Sequence, residues 1–186
     1  MIEIRIHGRG GQGAKTAAVL IAETALDEGK FIQAFPEYGP ERSGAPVQTY
    51  VKISDKPILS HAAIKHAEIV LVVDESLLDE RVVENLAESC VIVVNTSKDV
   101  KGKLSELGFK GYVYCVDATK IALEKLGKNI PNIALVGALI KASDEKIIKL
   151  DSLNKKIKSL LKEKGSKVVD GNLKAAKVAY EKVKRC

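Results

Sequence analysis

The residues with the clearest chemical potential stand in one run, His7-Gly8-Arg9-Gly10-Gly11-Gln12-Gly13, in which Gly8, Gly10 and Gly13 satisfy the spacing G-x-G-x-x-G. Lacking a Cβ, such residues let backbone N–H groups close on an anion, and the N-terminus of a following helix adds about half a positive charge. A phosphate is the natural ligand of such a loop. The same glycines can serve a purely structural end, a tight turn that lets a helix lie close on its sheet, and the spacing leaves both uses open. His7 borders the run and either donates to an anion or caps the strand before it. His7, Gly8, Gly10, Gly11, Gln12 and Gly13 are therefore the candidate anion cradle. A nicotinamide dinucleotide would also need an acid about 20 residues further on, at the end of the second strand, to hold its ribose. Gln33 and Ala34 stand there instead, and the nearest acid, Glu37, lies beyond Pro36. That mismatch speaks against an ordinary dehydrogenase.

A second constellation is Pro36-Glu37-Tyr38-Gly39-Pro40-Glu41-Arg42-Ser43-Gly44-Ala45-Pro46. Three prolines and two glycines exclude a helix or a central strand, so the run is read as a shaped loop. Glu37, Tyr38, Glu41 and Arg42 are its candidate contacts with a ligand or another chain; the competing use is an internally satisfied turn with Arg42 paired to a glutamate. His7, His61 and His66 share no motif with a serine or cysteine nucleophile, and no G-x-S-x-G, H-E-x-x-H or Walker sequence is present. No catalytic residue is assigned to this chain. Cys90, Cys115 and Cys186 lie far apart and form no C-x-x-C pair. They are too few for an iron–sulfur cluster, which takes about four thiolates, and no metal site is expected. A reducing cytoplasm is the simplest setting for such cysteines.

These candidates need a frame. Ile2, Ile4 and Ile6 alternate with Glu3 and Arg5, which predicts a strand running straight into the glycine loop. After Gly13 the period changes: Ala18, Ile21, Ala22 and Ala25 fall on one helical face, with Gly29 as a stop. Residues 30–35 form a short apolar strand, and 47–53 alternate like an antiparallel strand with one wetter face, placed at an edge. Unalternating runs at 69–73, 91–94 and 112–116 read as parallel strands buried on both faces, with 77–86 suited to a crossover helix. Asp74, Asn95 and Asp117 close these runs, where parallel sheets place ligand loops or helix caps. Three helical stripes follow. Ile133, Val136, Gly137 and Ile140 stand behind Pro131, Leu150 to Leu160 ends at Gly165, and Leu173, Ala176, Tyr180 and Val183 come last. Gly137 on its stripe admits a close neighbour.

A chain of 186 residues, 46% hydrophobic and 29% charged, is read as one globular domain, 1–186, with a helical C-terminal extension from about 149. Disorder as the main state is excluded. Residues 141–186 carry 14 Lys+Arg against 6 Asp+Glu, whereas 1–140 carry 16 against 18, so the basic excess belongs to the last helices. With Tyr180 as the one aromatic there and no recognition motif, a solvated face is expected and no nucleic acid. No apolar run approaches the roughly 20 residues of a membrane helix, and no signal peptide is read at Met1.

Together, the opening through Gly13, the stretch Phe35 to Ala45, and Pro131-Asn132 with Gly137-Ala138 resemble the gamma subunits of the 2-oxoacid:ferredoxin oxidoreductases, most closely the pyruvate form. Some relatives carry Arg-Gly-Gly where this loop reads Arg42-Ser43-Gly44. The resemblance implies an α/β fold with a Rossmann-like, mostly parallel sheet flanked by helices. It also implies a complex with alpha, beta and delta chains that hold thiamine diphosphate, magnesium and iron–sulfur clusters. Such complexes convert pyruvate, coenzyme A and oxidised ferredoxin to acetyl-CoA, carbon dioxide and reduced ferredoxin, or run the reverse. This chain would hold no cofactor alone, and its glycine loop would receive coenzyme A as co-substrate. Two other functions stay in view: an assembly subunit for a different 2-oxoacid (2-oxoisovalerate or 2-oxoglutarate), and a free-standing nucleotide-binding enzyme.

Overall fold

The computed structural model describes residues 1–37, 44–59 and 64–186, with Pro36 and Glu37 defined by backbone alone. The isoleucine alternation forms β1 (Ile2–Arg9), and the glycine run turns the chain into α1 (Ala14–Asp27). A hairpin follows, β2 (Phe31–Glu37) and β3 (Pro46–Ser54), then β4 (Ala67–Val72). Beyond lie α2 (Glu80–Val83), β5 (Leu86–Asn95), α3 (Lys101–Glu106), β6 (Tyr112–Val116) and α4 (Ala118–Leu126). The chain continues with α5 (Asn132–Ala142), α6 (Leu150–Leu161), α7 (Ser166–Lys182) and β7 (Lys184–Arg185).

The strands form one sheet in the order β2-β3-β1-β4-β5-β6-β7. Its centre is parallel, β1 with β4, β4 with β5 and β5 with β6, while β3 and β7 pair antiparallel with β1 and β6. The fold is thus α/β with a parallel centre. From β1 the chain leaves to one side through α1 and the hairpin and returns to the other side as β4, so the carboxyl ends of β1 and β4 part at a topological switch point. Open α/β sheets bind ligands in the crevice at such a point.

The period-2 strands separate two apolar faces. Ile4, Ile6, Ile69, Leu71 and Val93 join residues of α1, α5, α6 and α7 in the larger core. Val70, Val72, Ile92 and Val94 join Val82, Leu104 and Phe109 in the smaller one. Gly137 lies on α5 where a Cβ would strike the Ala176 carbonyl of α7, so the two helices pack backbone against backbone.

Several expectations change. The strand at 46–54 is internal, lying between β1 and β2; the edge belongs to β2, where Pro36 removes no ladder bond the sheet needs. The wetter face of β3 is not open water, since Lys52 is 2% exposed and lies within 3.8 Å of the Glu3 carboxylate. Residues 77–86 form no crossover helix. A 3-10 turn (Glu75–Leu77) and the single turn of α2 replace it, each capped by an aspartate, Asp74 accepting from Ser76 N and Asp79 from Arg81 N. The Arg5 guanidinium donates to the carbonyls of Val82 and Glu84, holding that connection against the sheet. The last helices are built into the core: Leu153, Ile157, Ala175, Ala176 and Ala179 are fully buried.

Candidate functional site

The glycine loop is fastened at several points. Gly10 N donates to Ala45 O (2.9 Å), Gly44 N to Gly10 O (3.1 Å) and Gln12 N to Arg9 O (3.0 Å). The Gln12 side chain completes the turn, its Oε1 accepting from Arg9 N at 2.8 Å and its Nε2 donating to Asp74 Oδ2 at 2.7 Å. These bonds occupy the amides of Arg9, Gly10 and Gln12. The amides of Gly11 and Gly13 take part in no hydrogen bond among the described residues, and α1 begins with neither a side-chain cap nor an acid in its first turn. The unpaired first-turn donors of a helix are where an anion is best received.

The glycines divide by use. Gly8 is structural: a Cβ there would come within 3.0 Å of the Ala14 Cβ, so its absence lets α1 start tight on β1. Gly13 has φ +82° and lies against the Asn132 side chain, at the start of α5, in the space a Cβ would fill. Gly11 has φ +93° and open space in front of it.

His7 shares the face of β1 with Arg5, opposite α1, and does not reach the helix end that the cradle uses. It is 4% exposed and its Nε2 has no hydrogen-bond partner. Burial, reinforced by the Arg5 charge, pushes its pKa down to about 3, so the ring is neutral.

Arg9, named in the motif but not as a contact, ties the loop to the end of β4. Its Nη2 donates to Ser76 Oγ at 2.8 Å, its Nη1 to Gly44 O at 3.1 Å, and its Nε lies 3.4 Å from Asp74. Partial burial raises the Asp74 pKa, but bonds from Ser76 and Gln12 and the Arg9 charge outweigh it and hold the carboxyl below its ordinary range. Glu75 is likewise held low by bonds from Lys98 and Thr96.

A cavity of about 310 Å³ opens in front of the loop, with Gly11, Gln12, Asn95, Thr96, Thr119 and Pro131 in its wall. Asn95 closes its floor: Nδ2 donates to Val73 O and Thr119 Oγ1, both at 2.9 Å, and Oδ1 accepts from Thr119 N. Of the three polar residues ending parallel strands, Asp74 and Asp117 are caps and Asn95 is a cross-link. A second cavity of about 300 Å³ shares Thr96, Ser97 and Asp117 with the first and adds Lys120, Lys182 and Lys184. The cleft therefore has an amide and hydroxyl lobe and a cationic lobe. The basic excess of residues 141–186 includes Lys182 and Lys184 but not Lys120, and nothing in the spacing places any of the three here.

Of the expected contact loop, Tyr38, Glu41 and Arg42 lie outside the described residues, and Glu37 is seen only as backbone paired with Gln48. The cysteines differ from expectation. Cys115 and Cys186, 71 residues apart, are joined in a disulfide with Cα atoms 6.0 Å apart. A two-residue strand, β7, brings them together, and no spacing rule reports so short an element. Cys90 is buried by itself. That donor set does not fit an iron–sulfur cluster, and no His/Cys/Asp/Glu group suited to a metal ion occurs among the described residues. The acid missing from the dinucleotide pattern is explained by topology, since β3 lies between β1 and β2 and the end of β2 is two strands from the loop.

A family model described as pyruvate ferredoxin/flavodoxin oxidoreductase matches residues 3–182. The chain belongs to this family. Within the pyruvate ferredoxin/flavodoxin oxidoreductases, it is 43% identical over 183 residues to the pyruvate synthase subunit PorC of Thermotoga maritima, covering 98% of this chain and 94% of that one. It is 47% identical over 185 residues to the pyruvate/ketoisovalerate oxidoreductases common subunit gamma of Thermococcus litoralis, covering 98% and 97%. The crystal structure of the pyruvate oxidoreductase subunit PORC from Thermotoga maritima superposes with a TM-score of 0.89 at 41% identity, covering 99% of this chain and 97% of that chain. No helix among the described residues is long and apolar enough to cross a membrane.

Proposed function

We propose that this chain is the gamma subunit of a multi-subunit pyruvate:ferredoxin oxidoreductase and that its cleft receives the phosphates of coenzyme A. The assignment is carried by likeness over nearly the whole length to proteins named as pyruvate synthase subunits. On this reading alpha, beta and delta chains are its partners and carry thiamine diphosphate, magnesium and the iron–sulfur clusters, and ferredoxin meets the complex. The reaction is the conversion of pyruvate and coenzyme A to acetyl-CoA and carbon dioxide with reduction of ferredoxin, or its reverse.

The coenzyme A reading is supported by the two-lobed cleft. The free amides of Gly11 and Gly13 and the uncapped start of α1 suit one phosphate group, and Lys120, Lys182 and Lys184 suit another on the same ligand. Of the carboxylates in the wall, Asp74 is engaged by Gln12, Ser76 and Arg9, Glu75 by Lys98, and Asp117 by the amide of Lys120, while Glu124 stands in the second lobe beside the three lysines. Gly44 and Ala45, bound to Gly10, would border the entry path.

The test is kinetic, in the reassembled complex. Gly11→Val places a branched side chain in the first lobe, and Lys120→Ala with Lys184→Ala removes two of the three lysines of the second without touching the loop. Each should raise the KM for coenzyme A roughly tenfold, as expected for loss of about 1.4 kcal/mol of binding, and leave the KM for pyruvate unchanged. Unchanged KM for coenzyme A in an intact complex refutes the cleft assignment. Loss of co-purification with normal affinity in what remains would instead identify an assembly subunit.

A further inference from the structure

We propose that Cys115 and Cys186 form a reversible thiol–disulfide site, oxidised by low-molecular-weight disulfides and reduced by dithiols, that fastens residues 184–186 along the outer edge of β6. The non-covalent hold on this segment is slight. Among the described residues it comprises the pairs Tyr114↔Arg185 and Cys115↔Lys184, one bond from Cys186 N to Val113 O at 3.0 Å, the Arg185 guanidinium 4.4 Å from the Tyr112 ring, and Cys186 packed at the margin of the smaller core. Lys184 and Arg185 are themselves exposed. An isolated two-residue strand has little stability of its own, so the covalent link decides whether the segment stays down.

The two sulfurs differ in access. Cys115 is 4% exposed, whereas Cys186 is only partly buried, so an incoming thiolate reaches the Cys186 sulfur first. Attack there forms a mixed disulfide and expels the Cys115 thiolate, which takes up a proton. The second thiol of the dithiol then displaces the Cys186 thiolate, which is protonated in turn, and leaves as a cyclic disulfide. Two electrons and two protons have passed to the protein. In the opposite direction both cysteines are oxidised by a small disulfide, which departs as two thiols. Cys90 takes no part: it is buried, and burial pushes its thiol pKa up to about 12.

The location makes the link consequential. Cys115, Lys182 and Lys184 line the cationic lobe of the cleft, so release of residues 184–186 removes Lys184 from its wall and uncovers the hydrogen-bonding edge of β6.

The full-length chain, equilibrated in oxidised or reduced dithiothreitol, is alkylated without denaturant and separately digested briefly with trypsin. In the oxidised buffer none of the three cysteines should be modified. In the reduced buffer Cys115 and Cys186 should be modified and Cys90 not, and cleavage after Lys182, Lys184 and Arg185 should be roughly tenfold faster or more, as for a locally opened segment. Cys186→Ser should be cleaved at the faster rate in both buffers. Equal cleavage of the unmutated chain in the two buffers, or a Cys115 that stays unreactive after reduction, overturns the proposal. The assay contains no co-substrate or partner chain, so it stands apart from the coenzyme A reading.

Discussion

His7 is a buried base kept uncharged, and that has a measurable sign. The unfolded chain binds a proton on this imidazole near pH 6.5, whereas the folded chain resists until about pH 3. Stability from this residue is therefore complete above pH 6.5 and falls as the pH drops through that window, at about 1.4 kcal/mol per unit. Between pH 6.5 and 5 urea unfolding should lose about 2 kcal/mol, and His7→Leu should flatten this slope whatever it does to the absolute value. Asp74 acts in a different window. Its carboxyl is held below the ordinary 3.8, so its contribution is present above that pH and disappears only below it. Asp74→Ala strips the acceptor from Gln12 and Ser76 and the partner from Arg9. It should cost about 1–2 kcal/mol at neutral pH, read from the shift in urea midpoint.

At the level of elements, two glycines with opposite surroundings make a paired experiment. Gly137 faces the Ala176 carbonyl, so Gly137→Val should force α5 and α7 apart and cost about 2–3 kcal/mol. Gly102, inside α3, has nothing within 4 Å of the place a Cβ would take, and Gly102→Ala should raise stability by about 0.5–1 kcal/mol through helix propensity alone. Thermal unfolding of both variants checks the two signs. The close-neighbour role of Gly137 is readable from its place on an apolar stripe, as is the strand–glycine–helix opening, because alternation, loop and helical period follow one another without overlap. Residues 77–86 deceive for a physical reason: Leu77, Leu78 and Val82 are each buried, but by separate turns that Asp74 and Asp79 cap and Arg5 holds, not by one helical face. In the cleft, Gly11 and Gln12 are visible in the sequence as part of the motif. Asn95 is visible as the polar residue closing its strand, but Thr119 and the three lysines are not, because only the parallel order of the sheet sets Thr119 beside Asn95, and only the return of α7 and β7 brings Lys182 and Lys184 to Lys120.

For the whole molecule, the basic helices are structural before they are anything else. Deleting 149–186 removes Leu153, Ile157, Ala175, Ala176 and Ala179 from the core, so the shortened chain should fail to fold, seen as loss of a cooperative transition by circular dichroism. Truncation therefore cannot ask whether those helices touch partners; charge reversal of exposed lysines such as Lys167 and Lys174 can. The placement of β1 has a consequence for synthesis. This strand is made before the rest of its sheet, yet its neighbours are β3 and β4, and the core that its isoleucines join is not complete until α5 and α6 have been made. The nascent chain carries the isoleucine face of β1 uncovered while later segments are still being translated. Its yield in the cell should consequently respond more to holding chaperones and elongation rate than its final stability would suggest.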